Sequence, residues 1–174
     1  FACSPERLEE IGAECPTSWQ ELLDPVYAGE IVIASPAASG TSYTVLSGLC
    51  QLYGEDGAFE WYHEFDNNVA QYTSSGSAPG KMAAAGEYAI GISFAHDIQV
   101  QQDKGLPVIL TFAEEGMPFE IGGISIMKGA KNLAAAQAWV DHVFTKSFQR
   151  YHNDTAHRIP TVAGVELMEG TYGL

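Results

Sequence analysis

A chain of 174 residues, 46% hydrophobic and 11% aromatic, is long enough for an ordinary folded domain with a sizeable core. Its 22 acidic residues against 8 basic ones leave a net charge of −14, which repels nucleic acid and anionic membranes at long range and excludes both as main partners. No apolar run approaches the roughly 20 residues needed to span a bilayer. The opening "FACSPERLEE" has neither the basic start nor the apolar stretch of a secretory signal, and it reads as the beginning of a fragment.

In chain order, a short amphipathic start, "SPERLEEIG", precedes "CPTSWQELLDP", which reads as a capped helical turn closed by Pro25. The strand "EIVIA" follows. From Thr41 onward, Val45, Leu49 and Leu52 recur at the spacing of one helical face until Gly54, which ends the helix. "GAFEWYHEF" predicts a second helix with Phe59, Tyr62 and Phe65 inward. The strand "AQYT" leads through the loop "SSGSAPG" to a helix in "KMAAAGE". A buried strand, "YAIGISF", runs into a helix in "AHDIQVQQDKG". "PVILTF" reads as a strand, "AEEGMPFE" as a loop and "IGGISIM" as a further strand. "NLAAAQAWVDHVF" has the clearest helical pattern, with Leu133, Ala136, Trp139, Val140 and Val143 on one side; the tail has none. Strands alternating with helices predict an α/β fold, a layered sheet with flanking helices. Cys3, Cys15 and Cys50 show no C-x-x-C spacing; a Cys3–Cys15 bridge and buried or unpaired thiols fit the pattern equally well.

Several enzyme motifs are approached and missed. "GSAPGKM" (76–82) sits between strand and helix like a phosphate-binding Walker loop, but it is one residue short and Met82 replaces the metal-binding hydroxyl. "HEFDN" (63–67) lacks the second histidine of a zinc helix, and Ser42 in "GTSYT" lacks the closing glycine of a nucleophile elbow. "HNDTAH" spaces His152 and His157 off a common helical face, so both read as solvated loop residues. We therefore expect no catalytic residue, no metal and no cofactor.

What remains is a layout repeated three times. Ser39-Gly40-Thr41, Ser75-Gly76-Ser77 and His96-Asp97 each follow a strand end and precede a helix. Ligands of open α/β sheets bind at these carboxyl ends. Free N–H groups and the positive end of a helix dipole suit an oxyanion, glycine lets the backbone approach, and hydroxyls add donors. The plainer alternative is that Ser39, Thr41 and Ser75 cap their own helices. Asp97 and Glu120 could accept paired hydrogen bonds from sugar hydroxyls, with His96 assisting. Asp97 as an N-cap and Glu120 as a solvated loop charge fit the spacing as well.

Three blocks carry a family resemblance: "PTSWQELLDPVYAGEIVIASPAASGTSYT", "NVAQYTSSGSAPGKMAAAGEYAIGISFAHD" and "EEGMPFEIGGISIMKGAKNLAAAQAWVDHVF". Together they resemble type II periplasmic solute-binding proteins of bacterial ABC importers, in the ferric-iron and sugar-phosphate group. That resemblance implies two α/β lobes closing on a ligand. Residues 1–121 would be the second lobe, and 122–174 the return crossing with partial first-lobe helices. Ferric-binding members carry paired tyrosines just after the strand matching "AIGISF", where this chain has His96-Asp97; the pattern is similar instead to the hexose-phosphate branch. The resemblance thus implies that Ser39, Gly40, Thr41, Ser75, Gly76 and Ser77 hold phosphate and that His96, Asp97 and Glu120 hold the sugar. It implies a membrane permease as partner and a periplasmic or extracytoplasmic location, with a lipid anchor left open. A ferric or phosphonate ligand is the alternative within the same family. Apolar surface around Trp139 and Phe144 is expected to invite self-association.

Overall fold

In the computed structural model, which describes residues 1–172, a first unit, Phe1–Phe119, is built on five strands. These are β1 (Ala2–Cys3), β2 (Ile31–Ala34), β3 (Val69–Thr73), β4 (Ile90–Ile92) and β5 (Ile109–Leu110), in the sheet order β3-β2-β4-β1-β5. Four helices accompany them: α1 (Pro5–Ile11), α2 (Gly40–Phe65), α3 (Ala78–Ala84) and α4 (Ala95–Asp103). This is the layered α/β arrangement that the alternation predicts. β2 pairs in parallel with both β3 and β4, whereas β1 runs antiparallel to β4 and β5. An interior parallel strand is covered on both faces, and "IVIA" supplies four buried side chains for it. β3, at the sheet edge, is exposed at Ala70, Gln71 and Tyr72.

Gly54, at φ 77° and ψ 168°, divides α2 into two helical stretches, a backbone geometry that glycine adopts readily. Val45 and Leu49 are buried before the break, and Ala58, Trp61 and Phe65 after it. Leu52, in the last turn before the break, and Phe59, which the spacing places inward, are 40% and 54% exposed. The buried face of the second stretch is set by Ala58, Trp61 and Phe65, and Phe59 lies about 100° round the helix from Ala58. The second stretch closes on an aromatic knot. Trp19 is wholly buried, edge-on to Phe1 at 5.0 Å and to Trp61 at 5.9 Å, and Trp61 stacks on Phe65 at 4.5 Å. Both buried indoles find acceptors: Trp61 Nε1 donates to Trp19 O at 3.1 Å and Trp19 Nε1 to Gly116 O at 3.0 Å.

Other elements depart from the sequence reading. "CPTSWQELLDP" yields two 3-10 turns, Glu21–Leu23 and Pro25–Tyr27, so Pro25 opens a turn instead of closing one, with the Asp24 side chain capping Val26 N. α3 begins at Ala78 and takes in Pro79 and Gly80, read from sequence as loop; proline is tolerated in a first turn, where its missing N–H is not needed. The strands read in "YAIGISF" and "PVILTF" shrink to three and two residues.

From Glu120 onward the second unit contains α5 (Leu133–Val143) and α6 (Lys146–Ala156). Segment 121–127 pairs with no strand among the described residues, and Ile121, Ile124, Ile126 and Met127 are exposed. Strand propensity needs a ladder partner to become a strand. α5 has no buried residue, and Trp139 and Phe144 are exposed. α6 escapes apolar periodicity because its buried positions, Gln149 and Asn153, are polar. Asn153 Nδ2 donates to Arg158 O at 3.0 Å, and its Oδ1 accepts from Met168 N at 2.6 Å. His157 ends α6 with φ 50°, 5% exposed, its Nδ1 3.2 Å from Thr171 Oγ1. The solvated-loop reading is therefore corrected for His157, and His152 is exposed but helical.

Cys3 and Cys15 form a disulfide, and Cys50 is free. The bridge ties β1 to the segment before Trp19 across a sequence separation of 12. Replacing both cysteines with serine is expected to lower the unfolding free energy by roughly 2–4 kcal/mol, mainly by releasing the unfolded chain. Guanidinium titration reads this directly, and an unmoved midpoint would deny the bridge a stabilising role. Nearby, burial pushes the Glu115 carboxyl up, but hydrogen bonds from Ser18 Oγ and from the backbone of Trp19 outweigh it and hold the carboxyl below its ordinary value. A group lowered in the folded state adds stability above its unfolded pKa and loses it as pH falls through the folded one. The melting temperature is therefore expected to drop more steeply below about pH 5 in the wild type than in Glu115→Gln. Parallel curves would count against this linkage.

Candidate functional site

Parallel strands deliver their chain exits to one edge of a sheet. From β2 the chain crosses to β3 on one side and later returns to β4 on the other, so the order reverses at β2. Such a switch point leaves a crevice outside the carboxyl ends of the strands. The turn after β2 begins where Ser35 N donates to Thr73 O at 2.8 Å, extending the pairing with β3 past the strand.

Ser39 occupies the N-cap position of α2 and is nearly buried, but its hydroxyl makes no capping bond. The capping alternative therefore fails for Ser39. Thr41 lies in the first turn of α2, where backbone N–H groups have no intrahelical acceptor. Gly76, in the turn after β3, is packed against both. A Cβ there would stand 2.1 Å from Thr41 Oγ1 and 2.8 Å from Ser39 Oγ. The structure thus brings together the first two predicted turns. Ser75 Oγ and Ser77 Oγ are 3.4 Å apart, and Ser77, at the N-cap position of α3, makes no side-chain cap either. Gly40 is exposed at the start of α2.

His96 and Asp97 lie in the first turn of α4, after the β4 exit. Phe94 holds the N-cap position and accepts from Asp97 N at 3.1 Å, so Asp97 is not the cap. The two side chains are 16% and 24% exposed, with His96 Nε2 3.7 Å from Asp97 Oδ2. The His96 ring lies over Phe94 at 5.4 Å and 30°. A carboxylate and an imidazole held side by side offer acceptor and donor to neighbouring hydroxyls. Glu120 is exposed and belongs to the second unit, so this cluster is built without it.

Three supporting hydroxyls were not read from the sequence as part of the site. Ser42 Oγ donates to Ala34 O at 2.5 Å, pinning α2 to the end of β2. Thr73 Oγ1 donates to Ser75 O at 2.9 Å, and Ser93 Oγ donates to Gly76 O at 2.5 Å. For Thr73 and Ser93 the one legible signal is a hydroxyl residue at or just beyond a strand end; Ser42, inside α2, has none of this kind. Tyr72 and Tyr88 are engaged elsewhere: Tyr72 OH donates to Asp66 Oδ1 at 2.8 Å, and Tyr88 OH lies 3.3 Å from Gln71 Oε1. Burial, then the bond to Asp66, pushes the Tyr72 phenol well above its usual pKa, which disfavours the phenolate that binds a hard ferric ion.

A mixed α/β sheet with flanking helices and parallel strand exits at one edge is the layered architecture of a periplasmic-binding-protein lobe. The chain belongs to the bacterial extracellular solute-binding proteins, which it matches over residues 1–169; this is a family of binding proteins, not of enzymes. The periplasmic binding protein AfuA from Actinobacillus pleuropneumoniae, solved with exogenous fructose-6-phosphate bound, is 39% identical with a TM-score of 0.95, over 99% of this chain and 55% of that one. The periplasmic binding protein P5PA is 32% identical with a TM-score of 0.93, over 99% of this chain and 55% of its own. An uncharacterised protein of Haemophilus influenzae (strain Rd) is 40% identical over a 173-residue alignment, which covers 92% of this chain and 50% of that protein. The chain thus spans about half the length of these relatives.

Because a Cβ on Gly76 collides with Thr41, Gly76→Ala is expected to lower the unfolding free energy by about 1–3 kcal/mol. Gly40→Ala, where nothing lies within 4 Å of the added carbon, is the control and should be near neutral. Equal denaturation midpoints for the two variants would contradict the close packing of the first two turns.

Proposed function

We propose that this chain is the ligand-gripping lobe of a receptor that captures a phosphorylated sugar, a hexose phosphate, outside the cytoplasmic membrane and delivers it to the permease of an ABC importer. The observation that carries the reading is the convergence of Ser39 Oγ and Thr41 Oγ1 on the bare α-carbon of Gly76. Gly76 has no side chain to hold the two turns apart, so their hydroxyls and amides gather in one place, and hydroxyls left out of helix capping suit an anion. In this reading Gly40, Ser75 and Ser77 complete the phosphate half. His96 and Asp97, at the next strand exit, grip the sugar, and Glu120 joins them on its chemistry alone as an acceptor. The likeness to AfuA, with fructose-6-phosphate in its site, supports the same ligand class. Residues 1–121 are then the second lobe, and 122–174 the return crossing with part of the first. The exposed apolar residues Trp139 and Phe144 make self-association of the isolated chain part of the same proposal.

Closure of such a receptor is driven by contacts that form only in the shut state. In the complete protein, fructose 6-phosphate or glucose 6-phosphate at a hundred times its Kd is expected to add about 2.7 kcal/mol of stability, read as a raised melting temperature. Free sugars and inorganic phosphate should shift it less. Asp97→Ala should remove most of the sugar-phosphate shift and leave the phosphate shift in place. A shift with ferric citrate alone, or with 2-aminoethylphosphonate alone, would replace the sugar phosphate by iron or a phosphonate.

A further inference from the structure

Ser93 stands between the last residue of β4 and the cap position of α4, three residues before His96. Its hydroxyl serves two groups of a different segment. It donates to Gly76 O at 2.5 Å and accepts from Gly80 N at 3.3 Å. The fit around it is close: a Cβ on Gly80 would stand 3.2 Å from Ser93 Cβ, and one on Gly91 would stand 2.2 Å from Pro79 O. Gly80 is the third residue of α3, where a backbone N–H has no carbonyl of its own helix to bond. Gly76 O belongs to the turn that packs against Thr41 and Ser39. One hydroxyl therefore clamps the turn after β3 to the exit of β4.

We propose that Ser93 is a positioning residue that fixes the distance between the anion-binding turns and the His96-Asp97 pair, and so selects ligands by the spacing of phosphate from sugar hydroxyls. The proposal rests on the sugar-phosphate reading of this site. A clamp of this kind does little for a ligand that occupies one half, because a loosened turn still folds around a free phosphate wherever it sits. It matters for a ligand whose phosphate is covalently tethered to its hydroxyls, since both halves must then be met at once. Preorganisation of this sort is worth a few hydrogen bonds' free energy at most.

The test uses the complete protein and isothermal calorimetry with fructose 6-phosphate, and by displacement with inorganic phosphate and free fructose. Ser93→Ala is expected to weaken fructose 6-phosphate roughly ten-fold while inorganic phosphate and fructose change by about two-fold or less. Ser93→Thr, which keeps the hydroxyl, should restore most of the loss. Equal losses for all three ligands, or no loss, would overturn the spacing role. Failure of the wild type to bind any sugar phosphate would overturn the underlying reading instead. Hydrogen exchange on the unliganded wild type tests the clamp whatever binds. The Gly80 amide is expected to be protected, and free exchange there would remove the clamp itself. The same measurement applies if Ser93→Ala fails to fold.

Discussion

β2 pairs in parallel with a neighbour on each side, and the rest of the first unit is arranged around that pairing. A parallel partner cannot be reached by a hairpin, so the chain must cross over between strands, and α2 and α3 make the crossings. Because the strands point the same way, their exits crowd one edge. Ser39, Gly76 and Ser93 are brought together there although long stretches of sequence separate them. The hydrogen-bond ladder thus does more than hold the sheet; it decides which turns meet. The aromatic knot of Trp19, Trp61 and Phe65 holds the far half of α2 in place. Ser42 fastens its near half to β2.

The chemistry offered at that edge is notable for what carries it. Ser39, Gly40, Thr41, Ser75, Gly76 and Ser77 contribute hydroxyls and amides, none of them ionisable in the ordinary range. On a chain with a net charge of −14, an anion held there, as the proposed function has it, would depend on fixed dipoles at short range and not on the field of the whole surface. The dipoles act where water is displaced and the effective dielectric is low, whereas the surface charges act through screened solvent. An acidic protein and an anion site are compatible for that reason. Arg7 is engaged with Glu10 and Glu30, the latter also accepting from Ala89 N, and so serves the scaffold.

How far the sequence reaches follows from what each signal physically is. Alternating strands and helices are legible because burial imposes a period, and "IVIA" is buried at every position as a central parallel strand requires. The turns are legible as turns because small and hydroxylic residues collect at strand ends, but the same residues are preferred helix caps, so composition by itself leaves their role open. Where several aromatics crowd one short helix, as in "GAFEWYHEF", apolar spacing fits more than one face, and the buried one runs through Ala58, Trp61 and Phe65, leaving Phe59 outside. Where the buried face is polar, as at Gln149 and Asn153, there is no apolar period to read. Segment 121–127 has strand composition, but pairing is a property of two segments and composition is a property of one. Ser93 was hidden for a related reason: it sits inside a hydrophobic run, and its importance lies in residues 13 and 17 positions away.

The break at Gly54 has a consequence for how such a protein can change over generations. The near half of α2 begins at Ser39 and Thr41, which the proposed function assigns to ligand, and the far half supplies Trp61 and Phe65 to the aromatic interior. An unbroken rod would transmit any tilt at one end to the other, coupling taste for ligand to the integrity of the interior. A glycine joint separates the two inheritances. Val45 and Leu49 keep the near half in the shared core, so what the joint frees is the direction of the first turns, which can be re-aimed without carrying Trp61 and Phe65 with them. A single residue without a side chain thus makes the lobe adaptable, leaving one scaffold free to acquire new specificities while its foundations stay put.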